Sequence, residues 1–307
     1  MNPITIFFAA DVGYYQHLCV LLASILENNR RHRFSFYVLT DNDDSPENEK
    51  ILSLKNSYDN FDLCFNKIDD DRVRLNLTID YISTQTYYRY LIPELFPDLD
   101  RALYLDGDMI VVGDLEELWT TDLDGYYAAG VDDLYIRQIG YKPQIGFDQD
   151  ELYVNAGCLL MNLKKMREDN ITERLIDNSL QWAESIRFQD QDVINMTLRG
   201  NIKPIEKRYN WCTVDSHAPF ETANEPPSIV ISHFTGKSKP WSIDGRCNHK
   251  SCYEYFKYLR KTPYRSFIRR YRSKRFFMWT IPWTCMSILK IFSPKRIVRL
   301  FQRLRAL

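Results

Sequence analysis

Leu103-Tyr104-Leu105-Asp106-Gly107-Asp108 is the stretch whose reading decides the fold. The apolar run 102–105 reads as a buried strand, and it delivers two carboxylates one residue apart. In parallel α/β sheets, ligands collect at the C-terminal ends of the strands. Two carboxylates there repel each other unless a cation sits between them. Oxygen ligands suit Mg²⁺ or Mn²⁺, which commonly bridge to substrate phosphates. A capped, solvated turn is the plain alternative, because Asp-x-Asp alone is a weak signal; the strand in front favours a metal site.

Toward the N-terminus the pattern alternates. Residues 4–10 are a β-forming apolar run, and residues 17–29 carry Leu18, Leu21, Leu22, Ile25 and Leu26 at helical spacing. The spacing then predicts strands over 34–39 and 61–68 and helices over 47–55 and 86–95, the last stopped before Pro97. Strand-helix alternation predicts an α/β protein with a parallel sheet covered on both faces. Toward the C-terminus, 128–131, 156–161 and 229–234 read as strands, and 172–185 and 193–198 as helices.

Three further segments carry chemistry. In 229–241 a strand delivers His233, then a loop with Gly236 and Lys239. His233 is placed to complete a metal sphere, Gly236 permits close backbone approach to a phosphate, and Lys239 supplies a point charge. A lone histidine at a strand end is more often structural. Gln189-Asp190-Gln191-Asp192 offers either a helix cap or the amides and carboxylates that a sugar-hydroxyl pocket requires. Asn155 and Gly157 interrupt a strand, as close ligand approach or tight packing demands.

In their order, these segments resemble glycosyltransferase family 8, most closely its bacterial lipopolysaccharide and lipooligosaccharide α-galactosyl- and α-glucosyltransferases. The likeness spans roughly residues 4 to 242 and includes Phe8-Ala9-Ala10-Asp11, Thr86-Tyr87-Tyr88-Arg89, Leu105-Asp106-Gly107-Asp108, Asn155-Ala156-Gly157, Gln189-Asp190-Gln191-Asp192 and His233 through Trp241. The resemblance implies a GT-A fold, a Rossmann-like and mainly parallel sheet with helices on both faces. It also implies a UDP-sugar donor and retaining transfer to a saccharide or glycolipid acceptor. It makes Asp106, Asp108 and His233 the Mn²⁺ ligands, with Mg²⁺ as the alternative ion. Ala9, Asp11 and Tyr14 become the nucleoside cradle. Arg89, Asp132, Asn155, Asp190 and Gln191 become donor-sugar contacts, Gly236 and Lys239 diphosphate contacts, and Gly107 a further donor-binding residue. Gly13 stands where relatives often have Asn. Of the doublet Asp132-Asp133, Asp132 is preferred by ungapped alignment to Gly140-Tyr141-Lys142. Catalysis falls to Gln191, facing the developing oxocarbenium ion, with Asp190 as the alternative nucleophile. Rival readings are a haloacid-dehalogenase-type phosphatase and an inactive sugar-nucleotide binder.

Composition bounds the rest. The chain has 307 residues, 45% apolar and 14% aromatic, enough for one large core. The net charge of -1 hides an asymmetry: 255–307 holds 15 Lys/Arg and no acid, leaving about -16 on the first 254 residues. The charge shift predicts a catalytic domain over 1–250 and a small basic, aromatic-rich helical segment over 251–307. That segment needs an anionic partner, and its arginines and aromatics fit a membrane surface. No nucleic-acid motif accompanies it, so nucleic acid is not expected as a partner. Seven scattered cysteines argue against a disulfide framework and for a reducing compartment. Cys247, His249 and Cys252 lack a second pair at zinc-finger spacing. With no basic-apolar leader and no spanning stretch, the expected location is the cytoplasm, peripherally on the inner face of the plasma membrane.

Overall fold

The computed structural model describes residues 3–73, 84–212, 228–236, 239–242 and 250–275. A seven-stranded sheet organises them, in the order β3-β2-β1-β4-β7-β6-β8. Its strands are β1 (Ile4–Ala9), β2 (Phe34–Thr40), β3 (Phe61–Lys67), β4 (Arg101–Leu105), β6 (Ala128–Asp132), β7 (Val154–Asn162) and β8 (Ile202–Pro204). β1, β2, β3 and β4 pair in parallel, and β6 pairs in parallel with β8. β7 runs antiparallel to both β4 and β6. Three short strands form a second sheet: β5 (Met109–Val111), β10 (Ile231–His233) and β9 (Trp211–Cys212). Sequence patterns missed β5, β8 and β9, because runs of two or three residues carry no readable period.

Alternation sorts the central strands into two cores. Ile6, Phe8, Leu103 and Leu105 face Leu18, Leu21, Leu22 and Ile25 of α1 (Tyr15–Asn28). Phe7, Ala102 and Tyr104 face the other side. There they meet α3 (Ile92–Leu95), α6 (Leu163–Glu168), α7 (Ile171–Gln181) and α8 (Gln189–Thr197). Period-two side chains on strands buried on both faces are what a sheet covered by helices requires. The architecture is therefore the α/β sheet with helices on both faces that the alternation predicts.

Several boundaries move. The predicted helix over 86–95 is a 3-10 segment, Thr84–Leu91, followed by the single turn of α3. The helix over 47–55 is α2 (Pro46–Leu52), continued by a 3-10 turn. Residues 189–192 do not precede a helix but form the first turn of α8. The strand over 156–161 begins earlier, so Asn155 and Gly157 lie inside β7. The scattered cysteines argue against a disulfide framework, yet among the described residues Cys252 is disulfide-bonded, while Cys19, Cys64 and Cys158 are thiols.

The charge shift near residue 250 coincides with the start of a helix on the catalytic body. This helix, α9 (Lys250–Leu259), buries Cys252, Tyr255, Tyr258 and Leu259 at helical spacing, while Tyr253 is 75% exposed. Tyr255 Oη lies 2.7 Å from His17 Nδ1, and Asn28 Nδ2 donates to Tyr258 Oη at 2.8 Å, so α9 is bonded to α1. The basic helix α10 (Phe267–Arg275) follows. The sequence features at 276–279 and 295–305 lie outside the described residues. Tyr255→Ala removes a buried aromatic and its hydrogen bond, so it should cost about 3–5 kcal/mol in chemical denaturation. An unchanged midpoint would show that α9 contributes nothing to the fold of the catalytic body.

Candidate active site

Asp106 and Asp108 mark the seam between the two sheets. Asp106 N donates to Gly157 O at 2.8 Å, which extends the β4–β7 ladder one step beyond β4. After Gly107, Phe234 N donates to Asp108 O at 2.9 Å and His233 pairs with Met109, which starts the second sheet. The chain thus changes sheets within three residues, and both carboxylates fall on the histidine at the end of β10. His233 Nε2 is 3.2 Å from Asp108 Oδ1 and 3.8 Å from Asp106 Oδ2. One ligand atom from each of the three lies within 4.8 Å of the others. Gly157 makes that approach feasible, since a Cβ there would lie 2.4 Å from His233 Cε1 and 2.6 Å from Asp106 Oδ2.

A hydrogen-bond relay fixes the orientation of the histidine ring. Asp133 Oδ2 is an acceptor, so Asn155 Nδ2 donates to it at 3.0 Å. Asn155 Oδ1 then accepts from Asn210 Nδ2 at 2.9 Å, and Asn210 Oδ1 is left to accept from His233 Nδ1 at 2.9 Å. Each step forces the next, so Nδ1 donates to Asn210 and Nε2 is the nitrogen turned toward the two carboxylates. Two carboxylates turned toward one point repel each other there, and a cation held between them and Nε2 resolves the repulsion. The donor set therefore fits a divalent metal.

Two cations sit around this point. The Arg89 guanidinium is only 3% exposed. It bonds Asp106 Oδ1 at 3.1 Å, Thr86 O at 2.8 Å and Ala156 O, and lies 4.1 Å over the Tyr104 ring. Its Nε pairs with Asp190 Oδ2 at 3.3 Å, a charge contact that leaves that oxygen without a hydrogen bond. Burial pushes the Asp190 carboxyl up to about 6, against the pull of Arg89 and with the push of Asp106. Lys239 Nζ donates to Asp108 Oδ2 and to Phe234 O, each at 2.5 Å. Burial works to raise the Asp108 carboxyl, yet Lys239 and His233 hold it well below the usual carboxylate range.

Gln191 is held at both ends of its amide. Oε1 accepts from Ala156 N at 3.1 Å, and Nε2 donates to Asp133 Oδ2 at 3.0 Å. Asp11 Oδ1 caps the turn before α1 by accepting from Tyr14 N at 3.0 Å. The Tyr14 hydroxyl is raised well above its ordinary value by burial and by Asp108 and Asp106. Trp241 stacks on His17 at 3.8 Å, and burial lowers the imidazole of His17 to about 3, so it is neutral at ordinary pH.

Every site residue singled out from the sequence lines one cavity of about 710 Å³: Ala9, Asp11, Tyr14, Arg89, Asp106, Gly107, Asp108, Asp132, Asn155, Asp190, Gln191, His233, Gly236 and Lys239. Within the doublet the two acids part company. Asp132 is tied at 3.3 Å to the buried Lys142 and at 3.3 Å to Arg137. Asp133 is the one bonded to Asn155 and Gln191. A register shift between Gly130 and Asp132 sets which side chain points inward, and no local sequence signal reports it. Asn210 was missed for a related reason: its partners lie 23 and 55 residues away.

This sheet, with an Asp-x-Asp at the switch from one sheet to the next and a histidine behind it, defines a glycosyltransferase of the GT-A class. The comparisons agree. Residues 5–245 match the model of Glycosyl transferase family 8. The chain is 32% identical over 258 residues to a Haemophilus influenzae relative, covering 82% of this chain and 76% of the relative. It is 26% identical over 281 residues to a lipopolysaccharide 1,2-glucosyltransferase of Escherichia coli, covering 86% and 81%. The crystal structure of the galactosyltransferase LgtC with donor and acceptor sugar analogs superposes with a TM-score of 0.75 at 28% identity, over 85% of this chain and 96% of that one. The chain belongs to glycosyl transferase family 8.

Gly157→Ala should force His233 and Asp106 apart and weaken divalent-cation binding at least about tenfold, the scale seen when the support of a metal ligand is lost. Titration calorimetry with Mn²⁺ reads this directly. Unchanged affinity would show that the close packing at Gly157 has no part in holding a cation.

Proposed function

We propose that this glycosyltransferase moves galactose or glucose from a UDP-sugar to a saccharide acceptor, with retention at the anomeric carbon. The observation that carries the reading is the convergence of Asp106, Asp108 and Nε2 of His233 beside the doubly anchored amide of Gln191. Asp106, Asp108 and His233 would hold a divalent ion, Mn²⁺ or else Mg²⁺. Such an ion supplies positive charge for the oxygens of the departing diphosphate. Lys239 lies on the same carboxylate and adds a second positive charge toward that end of the cavity. Ala9, Asp11 and Tyr14 form the wall suited to the nucleoside. Relatives support this assignment. One structure shows LgtC with donor and acceptor sugar analogs, and another is an active-site mutant of LgtC with glutamine replaced by glutamate.

In the transfer, the bond from the anomeric carbon to the diphosphate breaks and a bond to an acceptor hydroxyl forms. The hydroxyl proton passes to the departing phosphate oxygen. Gln191 Oε1 keeps a second lone pair for the developing positive charge on the sugar. Both ends of its amide are fixed, so little reorganisation is needed as that charge appears. Asp190 is poorly suited to nucleophilic attack, because burial and the Arg89 contact occupy its carboxyl, so transfer on one face of the sugar is the favoured course.

The proposed place of action is the inner face of the plasma membrane, with a saccharide or glycolipid of the lipopolysaccharide kind as acceptor. No helix among the described residues is long and apolar enough to cross a membrane. Support for surface attachment comes from α10 and the turn before it, where Arg260, Arg265, Arg269, Arg270 and Arg272 surround an open concavity. Each basic residue near an anionic leaflet contributes roughly 1 kcal/mol.

Release of UDP from UDP-galactose and UDP-glucose, with and without Mn²⁺, tests the reading. Turnover should require the metal, and Asp106→Asn or Asp108→Asn should lower it by at least about two orders of magnitude. Gln191→Ala should lower kcat far more than it raises the donor KM. Full turnover in EDTA would remove the metal from the account. Replacing Arg265, Arg269, Arg270 and Arg272 together by Gln should weaken sedimentation with anionic vesicles, and wild-type sedimentation should fall as salt rises. Equal sedimentation of both proteins would show that these arginines do not dock the enzyme.

A further inference from the structure

Arg187 is a cation of the cavity wall that the donor reading leaves unused, as is Lys207. Arg89 is committed to Asp106 and Asp190, and Lys239 to Asp108. Arg187 lines the same cavity, is exposed, and has no carboxylate partner among the described residues. Its guanidinium lies 5.3 Å over the ring of Phe188. Phe188 in turn meets Tyr135 edge to face at 6.3 Å and Tyr141 at 5.0 Å. The result is an aromatic wall topped by one unpaired positive charge.

The backbone under this wall is fixed. Asp192 is fully buried at 0% exposure, and the transfer chemistry gives it no task. Its Oδ2 accepts from Arg187 N at 2.9 Å, Phe188 N at 2.7 Å and the Tyr141 hydroxyl at 2.7 Å, and its Oδ1 accepts from the Tyr153 hydroxyl at 2.5 Å. Four donors on one buried carboxylate clamp residues 187 and 188 immediately before α8, the helix that presents Asp190 and Gln191. Such a clamp locates the backbone from which the Arg187 side chain leaves, relative to the sugar-side residues.

From this arrangement we infer that Arg187 makes the enzyme select acceptors bearing an anionic substituent, a phosphate or a carboxylate, on the saccharide that stacks on the Phe188 wall. The inference rests on the glycosyltransferase reading above and adds the chemical class of the acceptor. A guanidinium pairs with either anion through parallel N–H bonds, and the aromatic ring beneath it suits the apolar face of a pyranose. The rest of the cavity is rich in acids, with Asp11, Asp106, Asp108, Asp132, Asp133 and Asp190 all lining it. Without a local cation, that field would repel an anionic acceptor. Arg187 supplies positive charge beside Phe188, at the residue pair that leads into α8.

The test is a binding experiment that does not need turnover. The full chain is saturated with UDP and Mn²⁺, so that the diphosphate end is filled. Methyl hexoside, hexose 6-phosphate and methyl hexuronide are then titrated by calorimetry. The anionic sugars should bind about tenfold or more tightly than the neutral one, and the advantage should shrink as salt rises. Arg187→Ala should bring the ratio of anionic to neutral affinity to about one, and Arg187→Lys should restore part of it. Phosphate-only or hexuronide-only preference identifies which anion the site takes, and either supports the inference. No anionic preference in the wild type, or a preference that survives Arg187→Ala, overturns it. The donor reading fails separately, in the UDP-release assay.

Discussion

The buried guanidinium of Arg89 is the contact on which the site depends. It joins four parts of the fold: its own 3-10 segment through Thr86, the end of β4 through Asp106, β7 through Ala156 O, and α8 through Asp190. A charge this deep is stable only while its partners remain, and removing one partner of a buried pair typically costs 3–5 kcal/mol. Arg89 thereby holds two acids close together in a low-dielectric place where they would otherwise repel. The cost of that crowding shows at Asp190, whose carboxyl burial pushes up to about 6.

The same crowding explains the second sheet. The β5-β10-β9 strands are short, and their contribution is positional: they bring His233 and Asn210 to the carboxylates at the end of β4. The relay from Asp133 through Asn155 and Asn210 then sets which imidazole nitrogen faces the carboxylates. Gly157 is the steric counterpart of that relay, since any Cβ on β7 at this point would occupy the space that the histidine and Asp106 share.

The C-terminal helix α9 connects to this machinery through aromatic packing. Trp241, which follows Lys239 in the loop after β10, stacks on His17, and His17 is bonded to Tyr255 of α9. Tyr14 lies edge to face with His17 at 5.0 Å and with Trp241 at 6.0 Å. Burial keeps His17 neutral, so the cluster behaves as packed aromatic surface. Movement of α9 would therefore be felt at Trp241 and Tyr14, both of which line the cavity.

The sequence by itself determined the alternating strands and helices, the arrival of Asp106 and Asp108 at a strand end, and the ordered motifs that mark the family. These are local properties: a strand's period and a carboxylate pair can be read within a few residues. Residues 189–192 were legible as a polar cluster, though their place inside α8 and the clamp made by Asp192 were not. Only the tertiary structure decided that Asp133 faces Asn155 and Gln191 while Asp132 meets Lys142, because a register shift in β6 sets the direction of each side chain. It likewise decided that Asn210 supports His233, that Cys252 is oxidised and that α9 packs on α1. Each of these depends on the relative placement of segments far apart in the chain, which local periodicity does not encode.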